Sequence, residues 1–400
     1  MKKILVLVLF LMMFLLYPVE SQAVSGAGSS GETGSPAGQA AFSTQLNNLD
    51  LTAIEEYVAR LDREINQYVP QLNIKELLSK LAKGQLDFNF LDIINGLLKY
   101  LFKELVANSK LLGQLVILAV ICAVLQNLQS AFDKGTTGQV AFAVVYLALI
   151  SLAVGSFAIA VNIGREAIDD MVTFMEVLLP ILLTLLAAMG GLASAAIFHP
   201  VMVTVLGVIG TLVKNVVFPL LFFSAVLNII SNISERFQVS RLAGLFKDVG
   251  LGLMGIFLSV FMGVVTVQGV AGSVADGVAL RTAKYATGAF VPVVGKMFSD
   301  ALEAVVSSSV LLKNAVGLVG VVVIFILCAL PALKIITVMF IYKVAAALVQ
   351  PIGEGRIVAC LSAMGKSLTL VFAAVATVGL MFFFAITVMV GAGNMTVMLR

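Results

Sequence analysis

The chain has 400 residues, of which 60% are hydrophobic and only 12% charged, and its mean hydropathy is +1.08. A soluble domain carries about 45–50% apolar and about 25% charged residues, so this composition excludes an ordinary soluble protein and describes an integral membrane protein. A net charge of +3, no Lys/Arg-rich run and no tryptophan leave no footprint for nucleic-acid binding.

Lys2 and Lys3 precede an apolar core from Ile4 to Leu16, followed by the breaker Pro18 and by the small residues Ser21 and Ala23 at cleavage-site spacing. Residues 1–23 therefore read as a signal peptide cut after Ala23. The alternative is an uncleaved first span, but a core of roughly a dozen residues is short for a bilayer that takes about 20. Residues 24–48 open with "VSGAGSSGETGSPAGQAAF", a Gly/Ser/Ala tract with nothing to bury, and are expected to form a flexible linker.

Residues 49–110 read as an extracytoplasmic amphipathic helical segment. Thr52 with Glu55 forms a capping box, and Ile54, Val58, Leu61, Ile65 and Tyr68 follow at helical spacing until Pro70. Asn73 with Glu76 caps a second helix, striped by Ile74, Leu77, Leu78 and Leu81 and ended by Gly84. A third sets Leu91, Ile94, Leu98, Leu101 and Leu105 against Asp92, Asn95, Lys99 and Lys103, the pattern of a helix lying on a membrane surface.

Residues 111–400 form the multi-span domain. A charge at the bilayer centre costs about 2.5–3.5 kcal/mol, so charge-free runs mark spans. They cover 111–132, 135–164, 177–213, 215–234, 249–275, 314–333 and 367–399, with a further apolar piece at 335–349 broken by Lys343. The run 177–213 is long enough for two short helices, with "MGGL" at 189–192 as the turn. The expectation is an all-α, polytopic protein of about eight or nine spans. A cleaved signal places residues 24–110 outside the cytoplasm and the basic loop 234–248 inside. The segment 276–313 then falls outside with four cations, against the positive-inside tendency. Cys122, Cys328 and Cys360 are scattered and read as small buried hydrophobes.

Pro180 and Pro219 are 39 residues apart, as are Pro292 and Pro331, which places the second pair 112 residues after the first. Either this is chance, or residues of about 135–235 and 247–350 are repeats. In a duplication, Pro180, Pro200, Pro219, Pro292 and Pro331 are helix breaks, and residues 286–312 form a polar hairpin matching 174–200. Broken helices at matching places point to a substrate or ion path, because irregular backbone in a bilayer must line a cavity or be buried by protein.

The candidate residues follow. Arg281, Lys284 and Lys296 surround Pro292, and Lys313 comes next. These cations either line a path for anionic solutes or anchor to lipid phosphates. Lys343, inside an apolar run, must snorkel or face protein, and the second is expected. His199, the single histidine, is either a proton relay or a residue bonded to a carbonyl that Pro200 frees. Glu176 is either an interface marker or a buried carboxylate. No enzyme chemistry emerges: "AMGKS" at 363–367 imitates the end of a phosphate loop, but Cys360 occupies the place of its first glycine. No metal or cofactor site is visible.

Five stretches carry a resemblance: "VANSKLLGQL" at 106–115, "ASAAIFHPV" at 193–201, "LRTAKYATGAFVPVVGKMFSDA" at 280–301, "SVLLKNAVGLVG" at 309–320 and "FIYKVAAALVQPIG" at 340–353. Together they resemble the stage III sporulation protein AE family of endospore-forming bacteria. The resemblance implies a subunit of the complex that links mother cell and forespore, set in the mother-cell membrane around the forespore. It also implies partners: the other stage III sporulation A-operon proteins, a forespore-side partner complex and the lipid bilayer, with homo-oligomerisation left open. The expected function is a membrane-embedded channel or secretion-like component of that complex, with a non-conducting scaffold as the alternative; a stand-alone secondary transporter is the third reading and fits less well, because the resemblance implies an assembly.

Overall fold

The computed structural model describes residues 90–398 except 132–135, 234–238, 291–293 and 353–354, together with Thr52, Ile54, Glu56, Tyr57 and Ala59. The expected signal peptide and linker lie outside the described residues. From residue 90 onward, the described helices are, in order, α1 Phe90–Ala107, α2 Ser109–Ala131, α3 Thr136–Ala188, α4 Leu192–Leu212, α5 Phe218–Ile233, α6 Ser240–Phe290, α7 Val294–Val349 and α8 Gly355–Met398. A π-turn, Val213–Val217, joins α4 to α5.

The architecture is the all-α, multi-pass one that the hydropathy predicts, but its spans are fewer and longer. Six stretches among the described residues are long and apolar enough to cross a membrane: Ser109–Asn127, Val140–Ala188, Leu192–Ser231, Ser240–Val278, Val306–Val349 and Gly355–Ala392. Residues 136–164 and 177–188 lie on one helix, as do 314–333 and 335–349, and the π-turn carries 192–212 into 218–233. Charged residues at 165–170, 214 and 334 divide the hydropathy without interrupting the backbone ladder, because a helix needs no apolar side chain to continue. A helix of 49 residues is about 73 Å long, more than twice the ~30 Å hydrocarbon core of a bilayer.

The prolines need correcting too. Pro180, Pro200 and Pro331 lie inside continuous helices. A proline removes one backbone hydrogen bond, whereas a break inside a bilayer would leave several groups unmet. Pro219 is the second residue of α5, directly after the π-turn, where the Phe218 N–H donates to the Val213 carbonyl five residues back. Pro292 lies outside the described residues, between the end of α6 and the start of α7.

The turn expected in "MGGL" is present. Gly190 has φ 91°, open to glycine at little cost, and a Cβ at Gly191 would sit 2.9 Å from the Leu186 carbonyl oxygen. Its proposed counterpart is not a turn. At an offset of 112 residues, 189–191 falls on helical residues of α7.

Packing is built on three helices. The α7–α8 hairpin packs along α3, while α2 covers α3 and α7, and α6 covers α4, α5 and α8. Buried Leu, Val, Ile, Ala and Phe side chains from all these helices form one continuous core. The outer faces remain apolar: Val144 and Ile159 on α3, Val203 on α4, and Ile256, Val260 and Val267 on α6 are exposed, as expected of surfaces that meet lipid.

Candidate functional site

Antiparallel contacts fix the relative heights of the charged residues. Along α3 and α7, Gly320 lies against Leu178, and the hydroxyls of Ser156 and Tyr342 share a hydrogen bond. This register sets Lys334 level with Gly164 and Arg165. On the other flank Lys214, in the π-turn, donates to both carboxylate oxygens of Asp169 at 2.7 Å. Arg165, Glu166, Asp169, Lys214 and Lys334 therefore form a charged belt at one height. From Asp169 to Ala188 the helix rises about 28 Å, one hydrocarbon thickness. The belt and the 189–191 turn thus bound a slab as deep as one bilayer, uncharged on α3 but for Glu176.

The N-terminal segment reaches this belt. Ile54 and Tyr57 are buried; the Tyr57 hydroxyl donates to the Asp170 carbonyl oxygen at 2.8 Å, and its ring centre is 5.5 Å from that of Phe174.

Two charged side chains are buried near the far end of the slab. Lys313 is 1% exposed, and its Nζ donates to the Val390 carbonyl oxygen of α8 at 2.7 Å. Asp276 of α6 is also 1% exposed. Its Oδ1 accepts from the Ala193 N–H at 2.8 Å, and its two oxygens accept from the Ser194 N–H at 3.3 and 3.2 Å. The helix α4 starts after Gly191, which has no side chain to cap it. Asp276 supplies from another helix the acceptor that an N-cap side chain would provide. Ser194 packs so closely on Gly272 that a Cβ there would lie 2.5 Å from its Oγ.

The other expected site residues are placed differently. His199 and Pro200 are exposed on α4, so an interior relay through His199 does not form. Glu176 is exposed on α3, seven residues from Asp169 and inside the slab. Lys343 is exposed, against the expectation that it faces protein; its stem packs on α8 near Gly365 and carries the ammonium outward. The side chains of Arg281, Lys284 and Lys296 lie outside the described residues, although the backbone is helical at all three. Cys122 and Cys360 are buried and Cys328 half-buried, all as free thiols. The residues that the sequence reading missed are Asp276, Asp169 and Lys214. Asp276 and Lys214 each ended a charge-free run and so served only as boundaries, and Asp169 fell between two runs.

With this geometry in view, the family comparison is decisive. The family model for stage III sporulation protein AE matches residues 72–393. The chain belongs to the stage III sporulation protein AE family. Within that family it is similar to stage III sporulation protein AE of Bacillus subtilis (strain 168), with 43% identity over 353 residues, 88% of either chain. No solved structure matches. Family membership supports a role in sporulation and, with the six apolar helices, a place in a membrane.

Proposed function

We propose that this stage III sporulation AE protein is a membrane-embedded component of a channel or secretion-like complex that links mother cell and forespore, acting by passage and not by catalysis. In this reading it sits in the mother-cell membrane around the forespore. Its N-terminal segment faces the intermembrane side, and it contacts the other proteins of its operon and the forespore-side complex. One observation carries the reading. Lys313 and Asp276 are buried near the turn end of the bilayer-deep slab, and ionisable groups buried in a membrane domain mark paths or partners by default. The segment carrying Arg281, Lys284 and Lys296 joins the helices of these two residues.

Neutralising the cations tests this reading. Arg281→Gln, Lys284→Gln and Lys296→Gln, made singly, are each expected to cut heat-resistant spore counts at least tenfold while the protein still accumulates in the membrane. If these side chains only anchor to lipid, each contact is worth about 1 kcal/mol and the single changes are silent. Normal spore counts from all three variants would remove the path from this segment.

A further inference from the structure

Inside the slab, the outer face of α3 is unlike the outer faces beside it. From Met171 to Ala188 the exposed residues of α3 are Thr173, Glu176, Pro180, Thr184 and Ala188. They recur every three or four residues and so form one stripe along the helix. No Leu, Ile, Val, Phe or Met is among them, and the exposed large hydrophobics of α3, Val144 and Ile159 included, all lie on the other side of the belt. The helices on either flank do expose such side chains, Val203 and Val208 on α4 and Leu311 and Leu318 on α7, as a surface facing hydrocarbon should. Glu176 lies seven residues from Asp169, which sets it about 10 Å into the slab. A carboxylate facing lipid at that depth is costly. Pro180 adds to the mismatch, because it has no N–H to give the Glu176 carbonyl four residues back.

A stripe of small residues and threonines is what lets one transmembrane helix pack closely on another, and a carboxylate inside a membrane is answered by a cation. A second copy in the same membrane does not supply that cation. Like faces would set Glu176 against Glu176. The other described helices that pass through the slab have no exposed Lys or Arg to offer: residues 192–213, 249–275, 314–333 and 367–392 are charge-free, and Lys313 is buried. We propose that the α3 stripe is the docking surface for a transmembrane helix of a different membrane protein, one that carries a Lys or Arg opposite Glu176. This surface builds on the proposed assembly only in requiring a membrane partner, and it is the same whether or not the assembly conducts.

The test places a photoreactive benzophenone amino acid at position 173 or 184 of the full-length protein in sporulating cells, with irradiation and identification of the adducts by mass spectrometry. Both positions are expected to join one membrane protein other than this chain, at a transmembrane helix that holds a Lys or Arg. The same probe at Val260, on the apolar outer face of α6, should yield no such adduct. Glu176→Lys is expected to lower the adduct about tenfold or more, and changing the partner's cation to Glu should restore it. Glu176→Gln keeps the shape of the side chain without its charge and should lower the adduct as well, so the result does not hang on how well the lysine variant accumulates. Adducts to lipid alone, adducts to a second copy of this chain, or an adduct indifferent to both changes at Glu176 would overturn the assignment. None of these readouts involves efflux, so they stand apart from the question of conduction.

Discussion

Gly379→Leu is expected to separate α7 from α8 and to destabilise the protein by about 3 kcal/mol, the upper end of what overpacking a tight core costs. A Cβ at position 379 would fall 2.5 Å from the Cys328 Sγ and 2.9 Å from its Cβ. The sulfur could swing away, but the Cβ is fixed to the backbone of α7, so the helices themselves must part. Thermal unfolding of the detergent-solubilised protein reads the effect as a large loss of melting temperature. Gly379→Ala is expected to show a smaller loss, which Cys328→Gly should restore when combined with it. Gly263→Leu on α6, where a Cβ would meet no atom within 4 Å, should leave the melting temperature nearly unchanged. A Gly379→Leu protein as stable as the wild type would mean that α7 and α8 do not approach this closely.

Asp276→Ala is the second large effect. It removes the acceptor for the Ala193 and Ser194 N–H groups, which start α4 behind a glycine that cannot cap them. An N-cap is worth about 1 kcal/mol, and a buried hydrogen bond to a charged group about 1.5–3 kcal/mol. The loss should therefore be about 2 kcal/mol, read as faster proteolysis at the 189–191 turn and a lower melting temperature. Asp276→Asn keeps one oxygen acceptor and should lose less. Gly272→Val should reproduce part of the defect by pushing Ser194 off α6, although Asp276 is intact. If Asp276→Ala left turn proteolysis and melting unchanged, the carboxylate would not be holding α4.

Much of this fold was legible because hydropathy reports burial in lipid directly. The all-helical, multi-pass architecture followed from the long apolar runs, and the turn at 189–191 followed from two adjacent glycines. Helix continuity was not legible. Arg165, Lys214 and Lys334 looked like membrane boundaries because each charge was weighed as if alone at a bilayer centre. In the structure they gather at one height, which their spacing in sequence does not reveal. The prolines misled for a related reason: a single missing N–H bends a ladder without ending it. Asp276 was invisible as a site because its partners are 82 and 83 residues away. Lys313 was picked out as a cation in an apolar run, and it is buried; Lys343 was picked out on the same ground and is exposed. What separates them is the neighbouring surface: the Val390 carbonyl takes the Lys313 ammonium inside the protein, while Lys343 lies at the protein surface.

The central claim is that this protein contributes to a conducting assembly. The direct measurement is efflux of a small fluorescent anion from liposomes holding the purified protein together with the other proteins of its sporulation complex, with assembly checked by co-purification from the same vesicles. The account predicts efflux well above that of protein-free liposomes, reduced when Lys313→Met replaces the wild type although the complex still forms. Efflux no faster than from protein-free liposomes, from vesicles in which the complex is shown to be intact, would contradict it and leave the protein as a scaffold.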